Sequence, residues 1–179
     1  MVIRKEINKN ITRPVIDILV NGYACNALID TGAESIVWSG NKDILHKLCN
    51  STYSKGVVSG LGGRSAEYDI YDGTILIRDS DSNNLRSVTY KKCKIMESDY
   101  KSKYFDIILP FNLFMKFSIS FTNEDKLREF IIDTKREGEY FYILEYDENN
   151  IISDVLSQAI EDTFVESKAT SFNVMKSFL

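Results

Sequence analysis

The sequence predicts a mainly β single domain: a closed barrel with short helices, and an amphipathic helix added at its C-terminal end. β-branched and aromatic residues recur with a period of two in short runs, and Gly, Asn and Asp clusters punctuate those runs. Helical three- and four-residue spacing is confined to one short internal stretch and the C-terminal segment. A chain of 179 residues suits one compact domain with an appendage, expected as residues 1–148 and 149–179.

The elements follow in order. In residues 16–20 Ile, Ile and Val alternate with Asp and Leu as a half-buried strand does, and Asn21-Gly22 accepts the positive φ of a two-residue hairpin turn. Residues 23–29 return as the partner strand and run into Asp30-Thr31-Gly32-Ala33, a polar turn ending in glycine, after which residues 35–38 resume as strand. A short helix is expected over residues 41–49, with Asn41 as its cap and Ile44, Leu45 and Leu48 on one face. The glycine cluster in residues 57–63 reads as the tip of a long hairpin whose second arm is 66–77. A polar loop over 79–84 leads to a strand at 85–96.

Residues 105–109 form a short apolar run stopped by Pro110, with a turn or two of helix expected over 111–117. Residues 119–121 and 127–132 read as a hairpin, and 140–146 as a last, aromatic-rich strand that serves packing or a dimer interface. Ile152, Val155, Leu156, Ala159, Ile160 and Phe164 then fall on one face of a helix.

Composition excludes several function classes. Hydrophobic residues make up 44% and charged residues 27%, and the net charge is −4 without a long basic run, so no nucleic-acid partner is expected. No stretch reaches the roughly 18 apolar residues of a membrane span, and the first residues carry no apolar core of a leader, so a soluble, cytoplasmic chain is expected. Cys25, Cys49 and Cys93 are odd in number and lack CxxC spacing, which argues against a disulfide framework or a zinc site. His46 reads as a surface histidine on the short helix.

Hydrolysis of a peptide without metal or covalent nucleophile needs a base for water and an acid for the leaving amine. Two facing carboxylates that share one proton supply both, because like charges at contact push their pKa values apart. An Asp in a glycine-terminated turn at the end of an apolar strand suits that task, since backbone N–H groups can hold the carboxylate and the Thr31 hydroxyl can lock the loop.

Ala27-Leu28-Ile29-Asp30-Thr31-Gly32-Ala33 resembles the active-site sequence of the retropepsins, the retroviral-type aspartic proteases, in a divergent cellular or bacterial branch. Val20-Asn21-Gly22 stands upstream where the family has a hairpin, and Val58-Ser59-Gly60-Leu61-Gly62-Gly63 is similar to its glycine-rich flap. Phe105-Asp106-Ile107-Ile108-Leu109 and then Asn112-Leu113-Phe114 follow in family order, so the resemblance spans about residues 11–122.

The resemblance implies a retropepsin-like fold and an aspartic endopeptidase with no metal or cofactor. Asp30 would be catalytic, Thr31 and Gly32 would shape the turn, and Leu28, Ala33, Glu34, Val58, Ser59, Gly60, Leu61 and Gly62 would bind an extended, partly apolar peptide. Asp133-Thr134 continues into Lys135, and Asp72 is followed directly by Gly73, so the triplet does not recur. The second carboxylate must then be Asp30 of a second copy, in a homodimer. Two positions depart from the family. Pro110 stands where a glycine is usual, and Phe111 stands where viral members place an arginine that braces the acid after the turn, here Glu34. A dimeric peptide-binding module without turnover is the alternative reading.

Overall fold

The computed structural model describes residues 1–6, 13–59, 65–80, 86–115, 117–124, 127–133, 140–146 and 152–154. Its strands in chain order are β1 (Val2–Glu6), β2 (Val15–Val20), β3 (Tyr23–Asp30), β4 (Ile36–Trp38), β5 (Asn50–Ser59) and β6 (Ser65–Arg78). They continue with β7 (Arg86–Glu97), β8 (Ile107–Pro110), β9 (Ser118–Glu124), β10 (Leu127–Asp133), β11 (Tyr140–Tyr146) and β12 (Ile152–Asp154). Helix α1 (Lys42–Leu48) and a 3-10 turn at Phe111–Phe114 are the helical pieces among the described residues.

The expected hairpin opens the barrel. β2 pairs antiparallel with β3 through Asn21 and Gly22, which adopt φ of 45° and 84°, the left-handed conformations that a tight turn between twisted strands requires. Six strands then close on themselves in the order β2-β3-β8-β4-β7-β6, with β6 returning to β2. Closure pairs every edge within the ring. β5 extends β6 on one side, while β11 runs parallel to the first half of β7, leaving the second half of the same edge to β4. A separate three-stranded sheet, β1-β10-β9, contributes Ile3, Phe130 and Ile132 to the same core.

Alternation decides what fills the barrel. Ala27 and Ile29 from β3, Ile107 and Leu109 from β8 and Ile36 and Trp38 from β4 point inward and are buried. Phe114 stands edge-on to both Tyr90 and Phe130, with centroids 6.4 Å and 5.3 Å away, and the Tyr90 hydroxyl donates to Leu113 O at 2.8 Å. The buried phenol is thereby satisfied. Gly73 is a point of close approach: a Cβ there would lie 2.7 Å from Ile95 Cδ1 and 3.1 Å from Cys49 Sγ.

Helix α1 forms as its sequence predicts. The Asn41 side chain accepts from Asp43 N at 3.0 Å, Leu45 is buried, and Ile44 and Leu48 pack partly buried against the core. Other expectations are corrected. β1 and the first half of β5 are strands that the sequence pattern did not announce. Pro110 ends β8 from within, opposite Asp30, because a strand's last residue can spare its donor. The amphipathic helix was to begin at Ile152, yet Ile152–Asp154 is a strand paired with Leu144–Tyr146 of β11, whose open edge offers three residues a ready ladder. The remainder of the expected helix lies outside the described residues.

Candidate active site

Asp30 is the last residue of β3, and three strands hold its turn. β3 lies parallel to β8 with Ile29 opposite Leu109 and Asp30 opposite Pro110, and the Ile29 N–H donates to Pro14 O at 2.9 Å. β8 pairs on its other side with β4, the strand that leaves the turn, Val37 facing Ile108. β8 is thus inserted between the strands that enter and leave the Asp30 turn, so neither leg can move without breaking a ladder.

Within the turn, Gly32 N–H donates to Asp30 Oδ1 at 2.8 Å and Ala33 N–H donates to Asp30 O at 3.3 Å. The carboxylate is therefore oriented by its own backbone. Gly32 has no left-handed φ, and a Cβ built there would meet Asp30 Oδ1 at 3.4 Å, an ordinary contact. What glycine contributes is an uncovered face of the carboxylate rather than a special backbone angle. Thr31 is exposed and its hydroxyl has no partner among the described residues, so the expected lock within the loop is not made. Ala33 is half-buried, and Glu34 is exposed with no cation beside it among the described residues.

Leu28, expected in the cleft lining, is 5% exposed and packs with Val15, Phe105 and Ile108 on the outer face of β3. Its part is packing beneath the turn. β5 and β6 form the two arms of a hairpin, paired from Lys55↔Asp69 to Ser59↔Ser65, and Val57 is exposed. Gly60, Leu61 and Gly62 lie outside the described residues, as do the side chains of Val58 and Ser59. At the base of these arms, a Cβ at Gly56 would stand 3.0 Å from Met96 Cε and 3.2 Å from Ile70 Cδ1, so the hairpin rests directly on β6 and β7 side chains.

Phe111 is partly exposed on the 3-10 turn that follows Pro110, and Met115, just past it, is more so. A cavity of 410 Å³ lies elsewhere, between β9, β10 and the start of β7, and includes no residue of the turn. Asp30 itself is partly exposed.

A second cluster was not singled out by the sequence. Glu97 at the end of β7 receives Lys42 Nζ at 2.6 Å and lies 2.6 Å from His46 Nε2, while the Tyr71 hydroxyl donates to it at 3.5 Å. His46 stacks on Tyr71 with ring centroids 5.1 Å apart, so the surface histidine is also a packing residue. The signal was the i, i+4 spacing of Lys42 and His46, which puts two basic side chains on one helical face.

The cysteines are free and buried. Burial pushes the Cys25 thiol up to about 12 and Cys49 up to about 11, and raises Cys93 further, so none presents a thiolate near neutrality. Among the described residues no group of three or more His, Cys, Asp or Glu could hold a metal ion, and no helix is long and apolar enough to cross a membrane.

No protein-family model and no curated protein matches the chain. Among solved structures it is similar to a retropepsin-like aspartic protease from Rickettsia conorii, at 17% identity over 73% of this chain and 90% of that one, with a TM-score of 0.45. It is also similar to EIAV protease complexed with an inhibitor, at 20% identity over 60% of this chain and 90% of that one, with a TM-score of 0.39.

Proposed function

We propose that the protein is an aspartic endopeptidase of the retropepsin type, active as a homodimer on extended, partly apolar peptide segments. The observation that carries this reading is the Asp30 turn, a carboxylate aimed by the Gly32 N–H at 2.8 Å and left open to its surroundings at the end of three interlocked strands.

One such carboxylate is half of a hydrolytic pair. A second copy related by a two-fold axis brings its own Asp30 against the first, and the exposed Thr31 and Gly32 are the surfaces that meet. One carboxyl of the pair then keeps a proton while the other stays ionised. The ionised member takes a proton from water as the oxygen attacks the scissile carbonyl. The protonated member hydrogen-bonds the carbonyl oxygen, and a proton passes to the amide nitrogen as the C–N bond breaks. The β5–β6 arms and the segment after the turn, with Ala33 and Glu34, grip an extended chain through main-chain hydrogen bonds. Val58, Ser59, Gly60, Leu61 and Gly62 complete the cover.

Cleavage of an unbiased peptide library by the wild type, beside Asp30→Asn at equal concentration, is the test. Products from the wild type alone are expected, with specific activity falling on dilution as dimers separate. Identical product profiles for the two proteins would end the proposal.

A further inference from the structure

We propose that Asp106 is a positioning residue for the Asp30 turn, the pin that sets the register of the strands on which the turn is built. This rests on reading Asp30 as the catalytic carboxylate.

Asp106 immediately precedes β8 and bonds to both of its neighbours. Its N–H donates to Asn26 O at 2.7 Å, its Oδ2 accepts the Asn26 N–H at 3.0 Å, and its carbonyl accepts the Ser39 N–H at 2.7 Å. The carboxylate thereby does at the first rung of the parallel β3–β8 ladder what a main-chain carbonyl does further along. Gly40 completes the arrangement, because a Cβ there would stand 3.2 Å from Asp106 Cβ and Oδ1 and equally close to Trp38 Cε2. Glycine lets the segment after β4 lie this close without pushing Asp106 or Trp38 aside. Asn26 is tied from the other side as well: Lys5 of β1 donates to its Oδ1 and also pairs with Asp17 of β2.

Pin and turn occupy opposite ends of one ribbon. Asn26 precedes Asp30 by four residues on β3, and Asp106 precedes Pro110 by four on β8, with Asp30 opposite Pro110. At about 3.3 Å per residue the two ends are about 13 Å apart, and the even spacing puts both on the same outer face. Between them lie Leu28 and Ile108, covered by Val15 and Phe105. Ile107, Ile108 and Leu109 are similar in size, so apolar packing discriminates weakly between registers two residues apart. A hydrogen-bonded carboxylate at one end does not slip, and it delivers Asp30 to the end of the ladder where the turn must sit.

Asp106→Ala and Asp106→Asn in the full chain test this with two readouts. In peptide hydrolysis, Asp106→Ala is expected to lower kcat by about tenfold or more with KM within about threefold, since small misplacement of a reacting group is costly. Asp106→Asn, whose Oδ1 can still accept from Asn26, should keep kcat within about threefold of wild type. Independently of activity, amide exchange followed by NMR should accelerate at Gly32 and Ala33 in Asp106→Ala relative to Val88 and Tyr90 on the far side of the barrel. Should Asp106→Ala fail to fold, Asp106→Ser supplies the same exchange comparison with a shorter acceptor. Uniform acceleration along the chain, unchanged exchange at the turn, or an Asn variant as impaired as the Ala variant would each overturn the proposal. A wild type that cleaves nothing overturns the protease reading instead, and exchange at the turn then decides on Asp106 alone.

Discussion

Asp30 closes β3 and Glu97 closes β7, yet these two strand-end carboxylates have opposite surroundings. The Asp30 carboxylate accepts from one backbone N–H within its own turn, and no cation pairs with it among the described residues. The Glu97 side chain is 13% exposed and is filled by Lys42 and His46, with Tyr71 beside them, while Lys42 reaches on to Asp99 at 2.7 Å. A carboxylate saturated by charged donors is a clamp, here fastening α1 to the sheet. One steered only by a backbone amide keeps lone pairs for a proton or a water. The partners of a carboxylate thus separate one spent on structure from one left available for the proposed chemistry.

The largest expected effect breaks the comparison at Asp30. Asp30→Asn should reduce peptide hydrolysis by about 10²–10⁴-fold, the usual contribution of a positioned acid or base, and shift the thermal midpoint little, because Asn can still accept from Gly32. A matching fall in stability would make Asp30 a structural residue like Glu97.

The reverse pattern is expected next. Glu97→Gln removes the carboxylate that Lys42 and His46 share, leaving Lys42 only Asp99, and should cost about 1–2 kcal/mol by thermal or denaturant unfolding, with hydrolysis near wild type. A loss of hydrolysis without loss of stability would move Glu97 into the chemistry.

The acid limb sharpens the contrast. Burial pushes the Glu97 carboxyl upward, but the hydrogen bonds and charges of His46 and Lys42 outweigh it and hold its pKa below the ordinary value of 4.5. A depressed folded-state pKa contributes stability that is present above the unfolded value and is lost as pH falls through the folded one. The stability gap between wild type and Glu97→Gln should therefore be full near neutrality and close as pH drops below 4.5. Melting curves at stepped pH measure it.

The smallest effect belongs to His46, half in solvent. His46→Gln keeps a donor near Glu97 but loses the stack on Tyr71, for a cost of about 0.5 kcal/mol measured by the same unfolding curves.

Much of the barrel was legible because its signals are local. The alternation in β2 and β3, the Asn21-Gly22 turn and the Asn41 cap each act within a few residues, and each appears as expected. The Asp30 turn was legible for the same reason, since the Gly32 bond spans two residues. β5 was half hidden because it lies at the edge of its sheet: Asn50 through Lys55 are polar or exposed and carry a bulge between Ser51 and Lys55, with Tyr53 at φ 58°. β12 was misread because three residues spaced like a helix start met an open β11 edge, and tertiary pairing outweighs weak propensity.

By itself the sequence determined the β character, the turns and the identity of the carboxylate in the glycine-ended turn, all set by φ preferences and side-chain alternation over short spans. Only the tertiary structure decided that β8 is inserted between the two legs of that turn, that Leu28 is covered, that Asp106 ties β3 to the segment after β4, and that Glu97 is spent on Lys42 and His46. Those contacts unite residues 50 to 80 positions apart, as Asn26 with Asp106 or His46 with Glu97. No local preference encodes such pairings, which exist because closing the barrel leaves each strand one set of neighbours.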